Sequence, residues 1–358
     1  MTSRVFVIAE AGVNHDGSPD DARRMIDVAA DAGVDAVKFQ TFHADQLVTR
    51  RAAKAAYQAR NTGRDDGQHA MLEALELDRD THRMLSAHAA TRGVRFMSTA
   101  FDLDSLDFLA GLDMPAVKIP SGDLTWGPML LKAARLGRPL IVSTGMAALE
   151  EIGEALKVIA FALAREGTPA NAADLEAAFA DPAAQAALKD RVTLLHCTTE
   201  YPAPLTAVNL RAMDVMREAF GLPVGYSDHT LGTTVAIAAV ARGATVIEKH
   251  FTLDRRRTGP DHAASLEPDE LAAMVTAIRE VETALGAARK APAPEEIGNR
   301  AIARRSLVAA GPIAAGERFS LDNLTAKRPA DGLSPMAIWS LLGRPSPRAY
   351  AADEAIEP

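Results

Sequence analysis

Eight times in roughly the first 250 residues, a short apolar run ends in a cluster of polar side chains. VFVIAEAGVNH (Val5–His15) carries Glu10, AVKFQTF carries Lys38 and Gln40, VRFMSTAF carries Ser98 and Thr99, and AVKIPSG carries Lys118 and Ser121. LIVSTGM follows with Ser143 and Thr144, and VTLLHCTTEYP with His196, Thr198 and Tyr201. PVGYSDHT brings Ser227, Asp228 and His229, and ATVIEKHFT brings Glu248, Lys249 and His250. Helical segments separate these runs. Such alternation predicts an α/β chain closed into a (β/α)8 TIM barrel, with its chemistry at the C-terminal strand ends. Strands usually end in turn formers. Ends that carry Glu, Lys, Ser and His together predict one site at one mouth.

The helices announce themselves by their caps. Ser18–Pro19 opens a helix that Gly33 closes. Asp80–Gly93 and Asp102–Gly111 read the same way, and Thr206 is expected to cap a helix before Gly221. Leu231–Gly243 is Ala-rich and helical, and Leu266–Gly286 is amphipathic with acids in its first turn. Two excursions break the rhythm. His43–Leu77 is long for a strand-to-helix loop and is expected to lie over the barrel mouth. Phe161–Asp190 reads as a peripheral helical insertion. The barrel domain is expected to span residues 1–286. The Ala/Pro/charge-rich stretch 287–300 reads as a linker. Residues 301–358 read as a small domain with short strands at SLVAA and AYAAD, too short to bury much by itself.

Composition narrows the function classes. The net charge is −8, and no basic, aromatic-interleaved patch marks a nucleic-acid surface. The cluster Arg255–Arg257 reads as solvated surface, with proximity to an anionic substrate as the alternative. The single cysteine, Cys197, excludes an intrachain disulfide and reads as an inert buried thiol. No apolar run reaches membrane-span length, and Glu10 interrupts the N-terminal one. The expected compartment is the cytoplasm, with no membrane partner.

Side chains alternate faces along a strand. Lys38 and Gln40 therefore share a face, as do His196 and Thr198, Ser227 and His229, and Glu248 and His250. Buried lysines at strand ends require anions. Lys38 and Lys118 either hold an anionic substrate or pair internally with Glu10 and Glu248. With the hydroxyls of Ser121, Ser143 and Ser227, they suit a phosphate or a phosphate plus a carboxylate. His229 and His250 end neighbouring strands. They suit a divalent transition metal, or serve as two hydrogen-bonding histidines. Glu10 and Glu248 are candidate acid/base groups. GPDH, after the eighth strand, returns Asp261 to the same mouth.

AEAGVNHDG, AVKFQTF, NTG, STAFD, VKIPSGD, STGMA, LHCTTEYP, GYSDHT, IEKHFT and GPDHAASLEP, in this order, resemble the sialic acid synthase family (the N-acetylneuraminate synthases). The tail RRSLVAAGPIAAGERFSLDNLTAKRPADGLSP resembles that family's antifreeze-like (SAF) domain. Ala100 in STAFD departs from the proline usual there.

The resemblance implies condensation of phosphoenolpyruvate with an open-chain N-acetylmannosamine-type sugar, in a domain-swapped homodimer. It implies a divalent metal, Mn2+ or else Mg2+ or Co2+, on His229 and His250. It implies phosphoenolpyruvate contacts from Lys38, Thr99, Lys118, Ser121, Ser143, Thr199 and Ser227. Sugar contacts would come from Glu10, Gln40, Tyr201, Glu248 and Asp261, and an arginine from the partner's small domain, Arg304 or Arg305, would reach the N-acetyl group. The acceptor alternatives are 2,4-diacetamido-2,4,6-trideoxymannose (legionaminic acid synthesis) and the 6-phosphate of N-acetylmannosamine. Outside the family stand a Schiff-base aldolase using Lys118 or Lys249 and a non-catalytic sugar- or ice-binding protein.

Overall fold

The computed structural model describes residues 4–64 and 66–357. Eight parallel strands close into a barrel in chain order: β1 (Phe6–Gly12), β2 (Ala36–Thr41), β3 (Arg95–Ala100), β4 (Val117–Ile119), β5 (Leu140–Ser143), β6 (Val192–Cys197), β7 (Val224–Asp228) and β8 (Val246–His250). β1 pairs with β8 and seals the ring, with Glu10 opposite His250. The chain divides into two compact units, Met1–Gly286 and Ala287–Pro358.

The period of two along each strand builds the barrel interior in tiers. Ile8, Ala36, Met97, Ala116, Ile141, Leu195 and Val246 pack into one apolar cluster within the ring. At Gly225 on β7 an added Cβ would stand 2.4 Å from the Val246 carbonyl oxygen, so only glycine fits there. Two residues onward on each strand come Glu10, Lys38, Thr99, Lys118, Ser143, Cys197, Ser227 and Glu248. The apolar tier plugs the ring, and the polar tier above it forms the floor of the mouth. Intervening residues such as Val7, Ala9, Val37 and Ile247 join the larger core between barrel and helices.

Most helix starts follow their caps. Ser18 accepts from the Asp21 amide at the head of Pro19–Asp31, and Asp102 accepts from the Ser105 amide at the head of Leu103–Ala110. The cap of Arg79–Thr91 is Asp78, two residues before the expected Asp80. Thr206 caps nothing: it lies inside the short helix Leu205–Val208. The chain then turns through Asn209 at φ 45°, and the next helix is Ala212–Phe220. The insertion is helical, with the end of Leu149–Ala164 followed by Ala172–Phe179 and Pro182–Arg191.

The second unit departs from expectation in two places. Residues 294–303, assigned partly to a linker, form the helix Pro294–Ala303, with proline in its first turn followed by Glu295 and Glu296. Its sheet is the antiparallel pair β9 (Ser306–Ala309) and β10 (Leu324–Lys327). AYAAD contributes only one isolated bridge, Tyr350 with Ile313, and Ala355 just beyond it bridges to Val308.

Candidate active site

A cavity of about 440 Å³ opens at the C-terminal ends of the strands. It brings together Glu10, Lys38, Gln40, Thr99, Lys118, Ser121, Ser143, Thr199, Tyr201, Ser227, His229, Glu248, His250 and Asp261. The excursion after β2 forms one wall with Leu47, Val48, Tyr57, Gln58, Met71, Leu72 and Leu75. The same mouth therefore has a charged floor and a largely apolar side.

At the floor, four charged side chains interlock. Lys38 Nζ lies 2.5 Å from Glu10 Oε2 and 3.6 Å from Glu248 Oε2, and Lys118 Nζ lies 3.5 Å from Glu248 Oε1. All four are buried. The internal pairing weighed for the two lysines is present. It also leaves donors free. Lys38 donates to Thr99 Oγ1 at 3.0 Å and Lys118 to Ser143 Oγ at 2.7 Å. An ammonium only donates, so both hydroxyls keep their own protons to offer. Thr199 Oγ1 is buried without a partner. Ser121 Oγ accepts from the Gly145 amide at 3.0 Å, and a Cβ at Gly145 would stand 2.4 Å from Thr199 Oγ1.

The two carboxyls differ in environment. Burial, opposed by Lys38, pushes Glu10 up to about 7. Burial also pushes Glu248 up, but Lys118, Lys38 and the Ser227 hydroxyl outweigh it and bring it down to about 2. Burial lowers Lys118 below the ordinary lysine range. For Lys38, burial is outweighed by Glu10 and Glu248, and its pKa rises. Near neutrality Glu10 is partly protonated, so the four groups together carry up to one net positive charge. An anion is favoured there.

Above the floor, the rings of His229 and His250 stand 5.5 Å apart, and Tyr201 packs on His229 at 4.1 Å. His229 Nδ1 donates to the Thr198 carbonyl at 2.6 Å, because a carbonyl only accepts. This leaves the Nε2 lone pair facing the cavity residue Ser227, whose Oγ lies 3.3 Å away. His250 Nδ1 is buried with no hydrogen-bond partner, and Asp261 Oδ2 lies 3.9 Å from it. Burial lowers His229 to about 4 and His250 well below the usual value, so both rings are neutral. Neutral imidazoles, one with its tautomer fixed by a carbonyl, fit a divalent transition metal. No cluster of three or more His, Cys, Asp or Glu arranged to hold an ion occurs among the described residues. The remaining ligands would be substrate or water.

A NeuB family model matches residues 25–290, and a SAF domain model matches residues 304–358. The chain belongs to the NeuB family. The N,N'-diacetyllegionaminic acid synthase of Campylobacter jejuni is 47% identical over 353 residues, covering 99% of both chains. That of Legionella pneumophila is 43% identical over 338 residues, covering 94% of this chain and 89% of its own. Among solved structures, the N-acetylneuraminic acid (sialic acid) synthetase of Leptospira borgpetersenii superposes with a TM-score of 0.66 at 30% identity, covering 83% of this chain and 90% of that one.

Several expectations for this NeuB-family mouth need correction. Lys249, a candidate Schiff-base nucleophile, is fully buried outside the cavity, 2.9 Å from Asp228 Oδ2. One residue's offset from Glu248 and His250 turns it to the helix side of the barrel. His196 and Thr198 do share a direction, but they bond the Val208 and Ala207 carbonyls and leave the cavity. Arg255, Arg256 and Arg257 pair with Glu270, Asp254 and Asp21, as the reading of solvated surface expects, and only the substrate alternative falls.

Cys197, read as an inert buried thiol, is buried as expected but also lines the cavity, with its Sγ 3.2 Å from Ser121 Oγ. The alternation from Leu195 already implied that direction. Asn61, passed over inside the NTG motif, ties the carbonyls of Tyr201 and Pro260 together at 3.2 and 2.8 Å. Arg304 and Arg305 lie on the second unit, exposed, around a separate cleft with Arg300.

Proposed function

We propose that the chain is a metal-dependent transferase. It condenses phosphoenolpyruvate with the open-chain aldehyde of an N-acetylmannosamine-type sugar, giving a nonulosonic acid and inorganic phosphate. One observation carries the reading: two buried lysines share a cavity with Glu10, Glu248 and a pair of neutral histidines.

Lys38 and Lys118, with the hydroxyls of Thr99, Ser121, Ser143, Thr199 and Ser227, hold the phosphate and carboxylate of phosphoenolpyruvate. Gln40, Tyr201 and Asp261 orient the sugar. A divalent cation, Mn2+ with Mg2+ or Co2+ as substitutes, would sit on His229 and His250 and polarise the aldehyde as a Lewis acid. C3 of phosphoenolpyruvate bonds to the aldehyde carbon, whose oxygen takes up a proton. Water adds to C2 and loses a proton. The bond from C2 to the phosphate's bridging oxygen then breaks, the new C2 hydroxyl gives its proton to the departing phosphate, and C2 becomes the keto carbon. Glu10 exchanges protons with these oxygens, and ionised Glu248 keeps both lysines charged and in place.

The acceptor favoured here is 2,4-diacetamido-2,4,6-trideoxymannose. The two synthases at 47% and 43% identity support it. So does the wall of Leu47, Met71, Leu72 and Leu75, which suits a methyl group at C6. Lys38 and Lys118 are the cations among the described residues lining the cavity, and both face the floor, which disfavours a 6-phosphate. N-acetylmannosamine is the second reading, favoured by the Leptospira synthetase. A domain-swapped homodimer in the cytoplasm is part of the same proposal.

The test is phosphate release from phosphoenolpyruvate after chelation and Mn2+ add-back, with each sugar offered separately. Metal-dependent release with one sugar supports the reading and names the product. Release that survives chelation favours a Schiff base on Lys118. No release with any sugar overturns the proposal.

A further inference from the structure

AEAGVNHDG supplies Glu10 to the site, and GPDHAAS supplies Asp261. Asn14 and Asp16 of the first motif meet Ser265 and His262 of the second across the β1–β8 seam. Asn14 Nδ2 donates to the Phe251 carbonyl and to Ser265 Oγ, each at 2.8 Å. Ser265 Oγ in turn donates to the Asp261 carbonyl at 2.7 Å. The chemistry fixes the amide's orientation. The Phe251 oxygen can only accept, and the Ser265 proton is committed to Asp261, so both need an N–H. Asn14, Phe251 and Ser265 are buried to within 1%.

A second link runs parallel. Asp16 Oδ1 lies 3.0 Å from His262 Nε2, and His262 Nδ1 lies 2.7 Å from Thr252 Oγ1. Gly259 admits this histidine, since a Cβ there would stand 2.6 Å from His262 Cδ2.

Phe251 directly follows His250, and Asp261 faces His250 across 3.9 Å. One amide therefore grips both ends of the loop that separates these two cavity residues. We propose that Asn14 is a positioning residue. Through Ser265 it fixes the backbone of Asp261, and so the place of that carboxyl relative to His250 and the acceptor sugar. The Asp16–His262–Thr252 link holds the same loop from its outer side. The backbone bridge between Phe251 and Leu266 closes the loop at its base; without the side-chain ties a bound sugar would have to fix the segment that carries Asp261.

The inference rests on the condensation reading for its kinetic arm, but not for its structural one. Ser265→Ala removes the relay with the smallest change in volume, and Asn14→Ala removes both bonds. Amide exchange of residues 251–266 needs no substrate and should quicken in both variants. Where wild-type enzyme releases phosphate, acceptor KM should rise on the order of tenfold in Ser265→Ala, with phosphoenolpyruvate KM little changed. In an Asp261→Asn background the same substitution should add little, because the latch acts through Asp261. Unaltered exchange in Ser265→Ala would overturn the proposal. So would an equal rise in both KM values, or a full additional loss in the Asp261→Asn background. Silence of the wild-type enzyme with every sugar would instead count against the condensation reading, and the exchange result would still decide the latch.

Discussion

Lys38 Nζ and Glu10 Oε2 face each other at 2.5 Å between strands β2 and β1, whose Cα atoms pair in register at these same residues. Both side chains are at most 3% exposed, so neither charge reaches water. The two partners do not respond alike to losing the other. Glu10, already held up near 7 by burial, becomes neutral by taking a proton. Lys38 loses the nearer of the two carboxylates that offset its burial and is left with Glu248 at 3.6 Å. Glu10→Ala should therefore cost about 3 kcal/mol of folding stability and Lys38→Met distinctly less. Chemical denaturation at pH 7 measures the order, and a reversed order would contradict the reading of Glu10 as the partner that becomes neutral. Lys38→Met should nonetheless lose protection by phosphoenolpyruvate against unfolding.

His229 presents one nitrogen to a backbone carbonyl and the other to the cavity. His229→Ala should purify without bound Mn2+ under conditions that load the wild type, and metal-dependent phosphate release should vanish. Elemental analysis reads the first outcome without any turnover. Wild-type metal content in the variant would remove His229 from the ligand set.

The barrel and its floor were legible because both follow from a period of two. Ile8 to Glu10, Ala36 to Lys38 and Val246 to Glu248 each step from an apolar tier to a charged one on the same face. Lys249 misled because its neighbours are cavity residues, although the same alternation sends it outward to Asp228. Thr206 misled because a capping residue type does not reveal that Asn209 turns the chain first. The helix Pro294–Ala303 was hidden by a composition that suits both a linker and a helix start. The meeting of Asn14 with Ser265 depends on closure of the ring between residues 251 apart in sequence, which no local pattern encodes.

Arg304 and Arg305 differ in what holds them. Arg305 donates to the Ala326 carbonyl at 3.3 Å, whereas Arg304 has no such tie among the described residues. If an arginine of the partner's small domain reaches the sugar, the untethered one serves better. Arg304→Ala should raise acceptor KM about tenfold or more, the scale of one hydrogen bond from a charged donor. Arg305→Ala should do far less, and neither should shift phosphoenolpyruvate KM. Steady-state kinetics with each substrate varied in turn decides it, and equal acceptor KM values for both variants and wild type would detach the second unit from the site.

His15 is fully buried beside the barrel, accepting from the Gly17 amide on Nδ1, with its Nε2 unpartnered. Burial, with a contribution from His82, lowers it to about 4. In the unfolded chain it would titrate near 6.5, so between these values the unfolded state binds more protons than the folded one. Stability contributed by neutral His15 is present above the unfolded value and declines as pH falls towards 4. From pH 7 to pH 5 the loss should be about 2 kcal/mol. His15→Gln cannot take up that proton. Its unfolding free energy should fall less steeply over this window than that of the wild type, even if its stability at pH 7 is lower. Denaturant melts at pH 7 and pH 5 on both proteins isolate the difference from every other titrating group. Parallel slopes would mean that His15 is either solvated or already charged in the folded barrel.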